Sequence, residues 1–315
     1  MRHIRVIVPF LAVLACAFAF TCCTKINPIA GKSQDPGEND DPGGGQNPDF
    51  ELVECSNKIV AHRGGAAECG FPDNSRASLS YAIKLKLYAS ECDIYWTKDN
   101  NIIIAHAEKT NYVNGLKPYE STLEQIRRAG KLSNGEEVPT LEEFLDLIMV
   151  SGNCTKLWLD IKNYDSNLSQ YPVKAVQRAC EIIKKKNAQN CCEFICTANQ
   201  IVAKKAATCM LTYGVPVGWM AGSPPATHIS YGFTWANLSA KNHMSSLSGG
   251  TGSLTVDQFI AAGMKISVFN VDQKSGDQNA VYSKEAVDYY VRNYDKMKAI
   301  CTNYPKWLLS KVNNK

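Results

Sequence analysis

Seven residues of types that do chemistry together stand where short apolar runs end. One run closes on Ala61-His62-Arg63-Gly64-Gly65, and a second contains Ser90-Glu91-Cys92-Asp93. A third ends at Ala105-His106, and a fourth at Leu159-Asp160-Ile161-Lys162. In an extended chain, residues two apart share a face, so Glu91 goes with Asp93 and Asp160 with Lys162. Three carboxylates brought to one place repel each other and raise their pKa values unless a cation sits among them. Hard oxygen ligands suit Mg2+ or Ca2+ rather than a soft metal. His62 and His106 could exchange protons near neutral pH, while Arg63 and Lys162 add fixed positive charge. A cation with Arg and Lys describes a site for an anionic group developing negative charge, and phosphoryl is the usual one. Alone, each feature has a plainer reading: a salt bridge, a solvated strand face, a structural His, a tight turn. Their recurrence at successive run ends favours one shared site.

The elements that must position these residues follow from the pattern of short β-rich runs between segments of helical period. Strands are predicted at Lys58–His62, Ser90–Trp96, Lys156–Lys162, Glu193–Thr197, Val215–Ala221, Phe233–Leu238, Lys265–Asp272 and Lys298–Asn303. The run Asn101–His106 returns across an Asp99-Asn100 turn and counts as a decoration of the second strand. Helices are predicted near Ser75–Leu87, Leu123–Ala129, Thr140–Val150, Val173–Lys186, Gln200–Tyr213, Thr255–Ala262 and Lys284–Tyr294. Thr140 with Glu143 three residues on reads as a capping box. Repeated βα units mean a parallel sheet with right-handed crossovers. Eight of them over residues 51–315 point to an α/β fold, a closed (β/α)8 TIM barrel with a small insertion after the second strand, whose chemistry lies at the C-terminal strand ends. A doubly wound open sheet is the alternative, but no Gly-rich phosphate fingerprint follows the first strand.

The sequence then shows a recognisable pattern. AHRGGAAECGFPDNSRASLSYA (residues 61–82) resembles the HRG…PENT…A region of the glycerophosphodiester phosphodiesterases, within the wider phospholipase-C-like phosphodiesterase barrels. Glu91 to Asp99, followed by His106, is similar to that family's E-x-D…T-K-D…H block. Val138-Pro139-Thr140-Leu141-Glu142-Glu143 matches its P-T-L-E-E helix start, and Leu159-Asp160-Ile161-Lys162 its Glu-x-Lys strand. SVFNVD (267–272) and ICTNYP (300–305) resemble its last two strands. The resemblance implies a divalent ion, Ca2+ or Mg2+, held by Glu91, Asp93 and Asp160. It also implies a general acid/base pair, His62 and His106, and a phosphate held by Arg63 and Lys162. The reaction implied is hydrolysis of a glycerophosphodiester to glycerol 3-phosphate and an alcohol. Phe269, Asp272 and Trp96 are candidates for the substrate pocket. Asp73-Asn74-Ser75 stands for Glu-Asn-Thr, Asp160 for Glu, Asn303 for Asp, and Phe269, Asn270 and Asp272 for Trp, Thr and Asn. Two rivals are a lyase or phospholipase acting on lipid headgroups, and a non-catalytic barrel binding a phosphorylated ligand.

The remaining segments place the domain rather than act in it. The chain has 315 residues, 45% of them hydrophobic, and a net charge of +4, too small an excess to imply nucleic acid. Residues 1–23 read as a signal peptide, with a basic start and an apolar run, Val6–Phe20, too short for a stable span. Cys22 or Cys23, where that run gives way to polar chain, is preferred over Cys16 as a lipidated residue. That implies an exported lipoprotein anchored to a membrane at its N-terminal side. Residues 24–50, rich in Gly, Pro, Asp and Asn, cannot bury enough surface to fold and read as a tether. Ten Cys remain beyond it, without zinc spacing. Cys92, Cys180 and Cys209 lie in apolar patterns where Cys packs as a small hydrophobe, and one or two disulfides are expected among the ten. His228 and His243 fall in irregular polar stretches and read as surface or loop residues.

Overall fold

The computed structural model describes residues 50–107, 112–162, 166–196, 200–233, 235–247 and 254–314. The signal peptide, residues 24–49 of the tether and Cys16, Cys22 and Cys23 lie outside the described residues, as do Thr197 and Thr234 within two of the predicted strands.

Nine strands form one sheet: β1 (Ile59–Ala61), β2 (Ala89–Trp96), β3 (Ile102–Ile104), β4 (Lys156–Ile161), β5 (Cys192–Cys196), β6 (Val217–Trp219), β7 (Trp235–Ser239), β8 (Lys265–Phe269) and β9 (Ala299–Thr302). All neighbours pair in parallel except β3, and the sheet closes because β1 pairs with both β9 and β2. This is the closed eight-stranded barrel the alternation predicts, with helices around it. β3 is the insertion: it runs back antiparallel along β2, with Tyr95 opposite Ile103. Asn100, at φ 63°, makes the turn. The capping box at Thr140 is present: its hydroxyl accepts from the Glu143 amide and the Glu143 carboxylate from the Thr140 amide.

Strand alternation sorts the side chains into two cores. Cys92 and Ile94 of β2 and Leu157, Leu159 and Ile161 of β4 face the helices, in one cluster with Phe144, Leu145, Val176 and Ile183. Val60, Ala89, Trp158, Ile195, Trp235, Ala299 and Cys301 face inward and fill the barrel. Trp158 and Trp235 stack there with ring centroids 5.4 Å apart. Gly218 is required beside them, since a Cβ at that position would lie 1.9 Å from the Trp235 ring. Toward the N-terminal strand ends sits Glu193, 2% exposed. It accepts from the Tyr88 hydroxyl (2.7 Å), the Trp158 indole (2.9 Å) and Lys156 (3.1 Å), and pairs with Lys298 at 2.8 Å. Those cations outweigh the penalty of burial and hold its pKa below the usual range.

The structure corrects three expectations. Helices Ala66–Cys69, Pro225–Ser230, Ala240–Leu247 and Pro305–Asn313 were not predicted, being short or mixed in polarity. Two of them carry His228 and His243, which are buried (0% and 2% exposed) rather than on the surface. His228 packs edge-on to Trp219, and His243 hydrogen-bonds to the Tyr290 hydroxyl at 2.8 Å. Cys180 and Cys209 pack as predicted but also form a disulfide between helices Gln170–Lys185 and Gln200–Tyr213. Cys92 is free and buried. Among the described residues, no helix is long and apolar enough to cross a membrane.

Removing one partner of a buried ion pair strands the other charge and costs about 3–5 kcal/mol. Glu193→Ala is therefore expected to lower stability by about that amount at neutral pH, measured by urea unfolding. Because the folded-state pKa of Glu193 is depressed, its contribution is full above the ordinary glutamate range and is lost as pH falls. The gap between the two proteins should narrow on acidification.

Candidate active site at the C-terminal end of the barrel

The first strand turn builds one wall of the site. β1 runs into a single 3-10 turn, His62–Gly64, in which Arg63 (φ 48°) and Gly64 (φ 83°) have positive φ, as does Gly65 (φ 77°), which caps it. Gly64 cannot be replaced without displacing its neighbour, because a Cβ there would lie 2.4 Å from Ser78 Oγ. The turn points the Arg63 amide at Glu91 Oε2 (3.0 Å) and places its guanidinium between Asp93 (Nε to Oδ2, 3.2 Å) and Asp73 (Nη1 to Oδ2, 3.1 Å). Asn74 clamps Asp93 from the same side: its Nδ2 donates to Asp93 Oδ2 at 2.8 Å, and its Oδ1 accepts from the Asp93 amide at 3.1 Å. Ser75 then caps helix Arg76–Lys84.

Strand register brings the acids together. β2 and β4 pair with Asp93 opposite Asp160 and Glu91 opposite Trp158. Oxygens of Glu91, Asp93 and Asp160 lie within 4.8 Å of one another, all three buried. Lys162 Nζ is 2.6 Å from Asp93 Oδ1 and 2.6 Å from Asp160 Oδ2. Burial, then the charges of Asp93 and Asp160, push Glu91 well above the usual carboxylate range. Burial also raises Asp160, against the pull of Lys162. Asp93 departs from the expectation that all three would rise: burial opposes its charge, but Lys162 and Arg63 outweigh it and hold the pKa well below normal. Two fixed cations against three acids leave negative charge unbalanced, and Asp160 Oδ1 is buried with no hydrogen-bond partner among the described residues. Oxygen donors, surplus negative charge and an orphaned carboxylate oxygen fit one hard divalent ion.

His62 is held from behind. Asp272 accepts from Thr302 Oγ1 (3.0 Å), the Asn303 amide (2.8 Å) and Asn303 Nδ2 (2.7 Å). With its Nδ2 committed there, Asn303 presents Oδ1 to His62 Nδ1 at 2.8 Å. The ring therefore carries its proton on Nδ1, and Nε2, 3.8 Å from Glu91 Oε2, is left as an acceptor. Burial and Arg63 hold the pKa of His62 below its ordinary value. His106 stands exposed just beyond β3. Partial desolvation lowers its pKa, with Asp93 pulling it up and Arg63 and Lys162 pushing it down.

The predicted pocket residues divide. Phe269 lines a cavity of about 110 Å³ together with His62, Arg63, Glu91, Asp160 and Lys162. Asp272 borders a neighbouring cavity of about 430 Å³ with Phe71 and Tyr304, but its oxygens are engaged by Thr302 and Asn303. Trp96 is a correction. With Glu91, Asp93 and Tyr95 on the inner face of β2, alternation turns Trp96 outward, where it stacks on Tyr171 (5.8 Å) beneath Lys174 (4.4 Å). Residue types had not singled out Asn74, Asn303, Asn270 or Asp277. Asn270 Nδ2 donates to Asp277 and lies 3.3 Å from His62 Nδ1. Asn303 sits two residues beyond the inward-facing Cys301, and that alternation could have flagged it, whereas Asn270, three residues from Ser267, falls outside the alternation of β8.

Folding of the ion-free chain takes up a proton at Glu91, because its folded-state pKa is raised. Stability is then fullest below the ordinary glutamate range and declines as pH climbs toward the folded value. Glu91→Gln is expected to stabilise the ion-free protein by about 1–2 kcal/mol at pH 8 and to make little difference at pH 4. Adding Mg2+ or Ca2+ should raise the melting temperature of the wild type more than that of the variant. Calorimetry with and without ion checks both.

Residues 62–306 match the model of the glycerophosphoryl diester phosphodiesterase family. A glycerophosphodiester phosphodiesterase of Caldanaerobacter subterraneus subsp. tengcongensis is 30% identical over 98 residues, 29% of this chain and 40% of that protein. The match spans about two fifths of the length of the curated relatives. A solved glycerophosphodiester phosphodiesterase from Parabacteroides distasonis superposes with a TM-score of 0.66 at 23% identity, covering 83% of this chain and 99% of that one. An Oleispira antarctica phosphodiesterase in complex with the product sn-glycerol-3-phosphate gives 0.58 at 18% identity, covering 81% and 96%. At these identities the solved structures show a common fold.

Proposed function

Since the chain belongs to the glycerophosphoryl diester phosphodiesterase family, we propose that it hydrolyses glycerophosphodiesters to glycerol 3-phosphate and an alcohol in a metal-dependent reaction. The observation that carries this reading is the meeting of Glu91, Asp93 and Asp160 beside Lys162 and Arg63, with His62 Nδ1 hydrogen-bonded to Asn303 Oδ1. The family name and the product named for the Oleispira antarctica neighbour support the substrate class.

Glu91, Asp93 and Asp160 would hold the ion, which when bound supplies Lewis-acid neutralisation of the phosphoryl oxygens. Lys162, already aimed at the carboxylate oxygens, and Arg63, locked by Asp93 and Asp73, contribute fixed charge that needs no reorganisation as the phosphorane forms. His62 Nε2 takes the proton of the attacking oxygen, while the Asn303–Asp272 pair keeps Nδ1–H in place and stabilises the imidazolium. His106, on the rim and open to solvent, protonates the departing alkoxide and recovers its proton from water. The attacking oxygen is water or the substrate's own glycerol hydroxyl; phosphorus NMR separates them, since the second route passes through a cyclic phosphate.

The N-terminal reading is likewise a proposal: residues 1–23 direct export, and Cys22 or Cys23 is lipidated. The Cys180–Cys209 bridge supports an oxidising compartment. Fatty-acid labelling of the expressed chain should be lost when both cysteines are replaced by Ala.

The enzyme is expected to release choline from glycerophosphocholine in Mg2+ or Ca2+, to stop on chelation and to recover when the ion returns. His62→Ala should lower kcat by about 10²–10⁴-fold. Equal release by variant and wild type would refute the assignment.

A further inference from the structure

The carboxylate cavity continues past the metal site. Asn237, on β7 and 1% exposed, lines both that cavity and an adjoining one of about 430 Å³ on the β6–β8 side. Its Oδ1 accepts from Ser267 Oγ at 2.9 Å, so the amide is turned with Nδ2 away from Ser267. Nδ2 is buried there with no hydrogen-bond partner among the described residues. A buried amide N–H left unpaired is costly, and native folds keep such a group chiefly where something else supplies the acceptor. Met220, Phe269 and Asn279 border both cavities as well, so the two share a wall beside Asn237.

The outer cavity has its own chemistry. Ser239, Asn242, Ser246 and Asn279 line it, with no Asp, Glu, Lys or Arg among the described lining residues. His243, also in the wall, is buried, and desolvation holds its pKa down. A cationic headgroup would need an aromatic cage or a carboxylate, and among the described residues lining the outer cavity Phe269 is the only Phe, Tyr or Trp. Hydroxyls, which both donate and accept, match amides and serines instead. We propose that this outer cavity receives the alcohol portion of the phosphodiester and favours a neutral polyol, with Asn237 Nδ2 donating to one of its hydroxyl oxygens. The proposal rests on the phosphodiesterase reading of the acidic triad and names the alcohol that reading leaves open. Asn237 is then a specificity-determining residue.

The test compares kcat/KM for glycerophosphoinositol and glycerophosphocholine, using the full chain with Mg2+ or Ca2+. The wild type is expected to prefer the inositol ester by roughly tenfold or more, and Asn237→Ala to bring that ratio toward one. Asn242→Leu, on the exposed side of helix Ala240–Leu247, should also reduce the ratio, and it keeps the test open if Asn237→Ala does not fold. A wild type that favours the choline ester, or variants that lower both substrates equally, would overturn the proposal and leave the phosphodiesterase reading standing. Hydrolysis of neither ester would sink that reading instead. Calorimetric titration with inositol 1-phosphate would then judge the cavity alone. Weaker binding to the variants supports the subsite, and equal or absent binding overturns it.

Discussion

A buried aspartate that stays charged organises this molecule's mouth. Asp93 has no exposed surface, yet its carboxylate is ionised because Lys162, Arg63 and Asn74 converge on it from three elements. Each partner is fixed for a separate reason. Lys162 follows β4, whose register sets Asp160 opposite Asp93; Arg63 sits in a left-handed turn that Gly64 makes feasible; Asn74 precedes a helix cap. Loss of either cation would leave this buried charge only half compensated, which is costlier than losing a surface pair. The acids flanking Asp93 are pushed the other way, toward protonation, so the site is electrostatically divided until a cation enters.

The two ends of the barrel solve the same problem differently. At one end a single acid, Glu193, faces Lys156 and Lys298 with an indole and a phenol completing its bonds, so its charge is fully met. At the other, three acids face two cations and an oxygen remains unmet. Between them the stacked tryptophans separate the ends. Satisfied polar clusters stabilise a fold, whereas unsatisfied ones mark where a ligand is to be bound. That contrast, inside one barrel, is the physical reason for placing the chemistry at the C-terminal face.

Much of this was legible in the sequence, because the barrel is written in local patterns. Alternation within β2 and β4 told which face Glu91, Asp93 and Asp160 share, and the eight βα repeats told that those faces meet. What was illegible depends on partners distant in the chain. The bridge between Cys180 and Cys209 needs two helices to pack side by side, and His228 and His243 are buried by aromatic rings that their polar neighbours do not announce. Trp96 was misplaced through its nearness to the acid block, although its odd spacing from Asp93 already turned it outward. Asn237 reads as one more polar residue until Ser267, 30 positions later, is found on its oxygen.

His62 and Asn303 are 241 residues apart, and they join the first barrel strand to the last. Glu91, Asp93, Asp160 and Lys162 come from strands made early and can assemble on each other as soon as β4 is in place. The imidazole waits for β9. The acidic cluster is thus built from the first half of the barrel, whereas the partner that fixes the imidazole's orientation comes only with the strand that closes the ring.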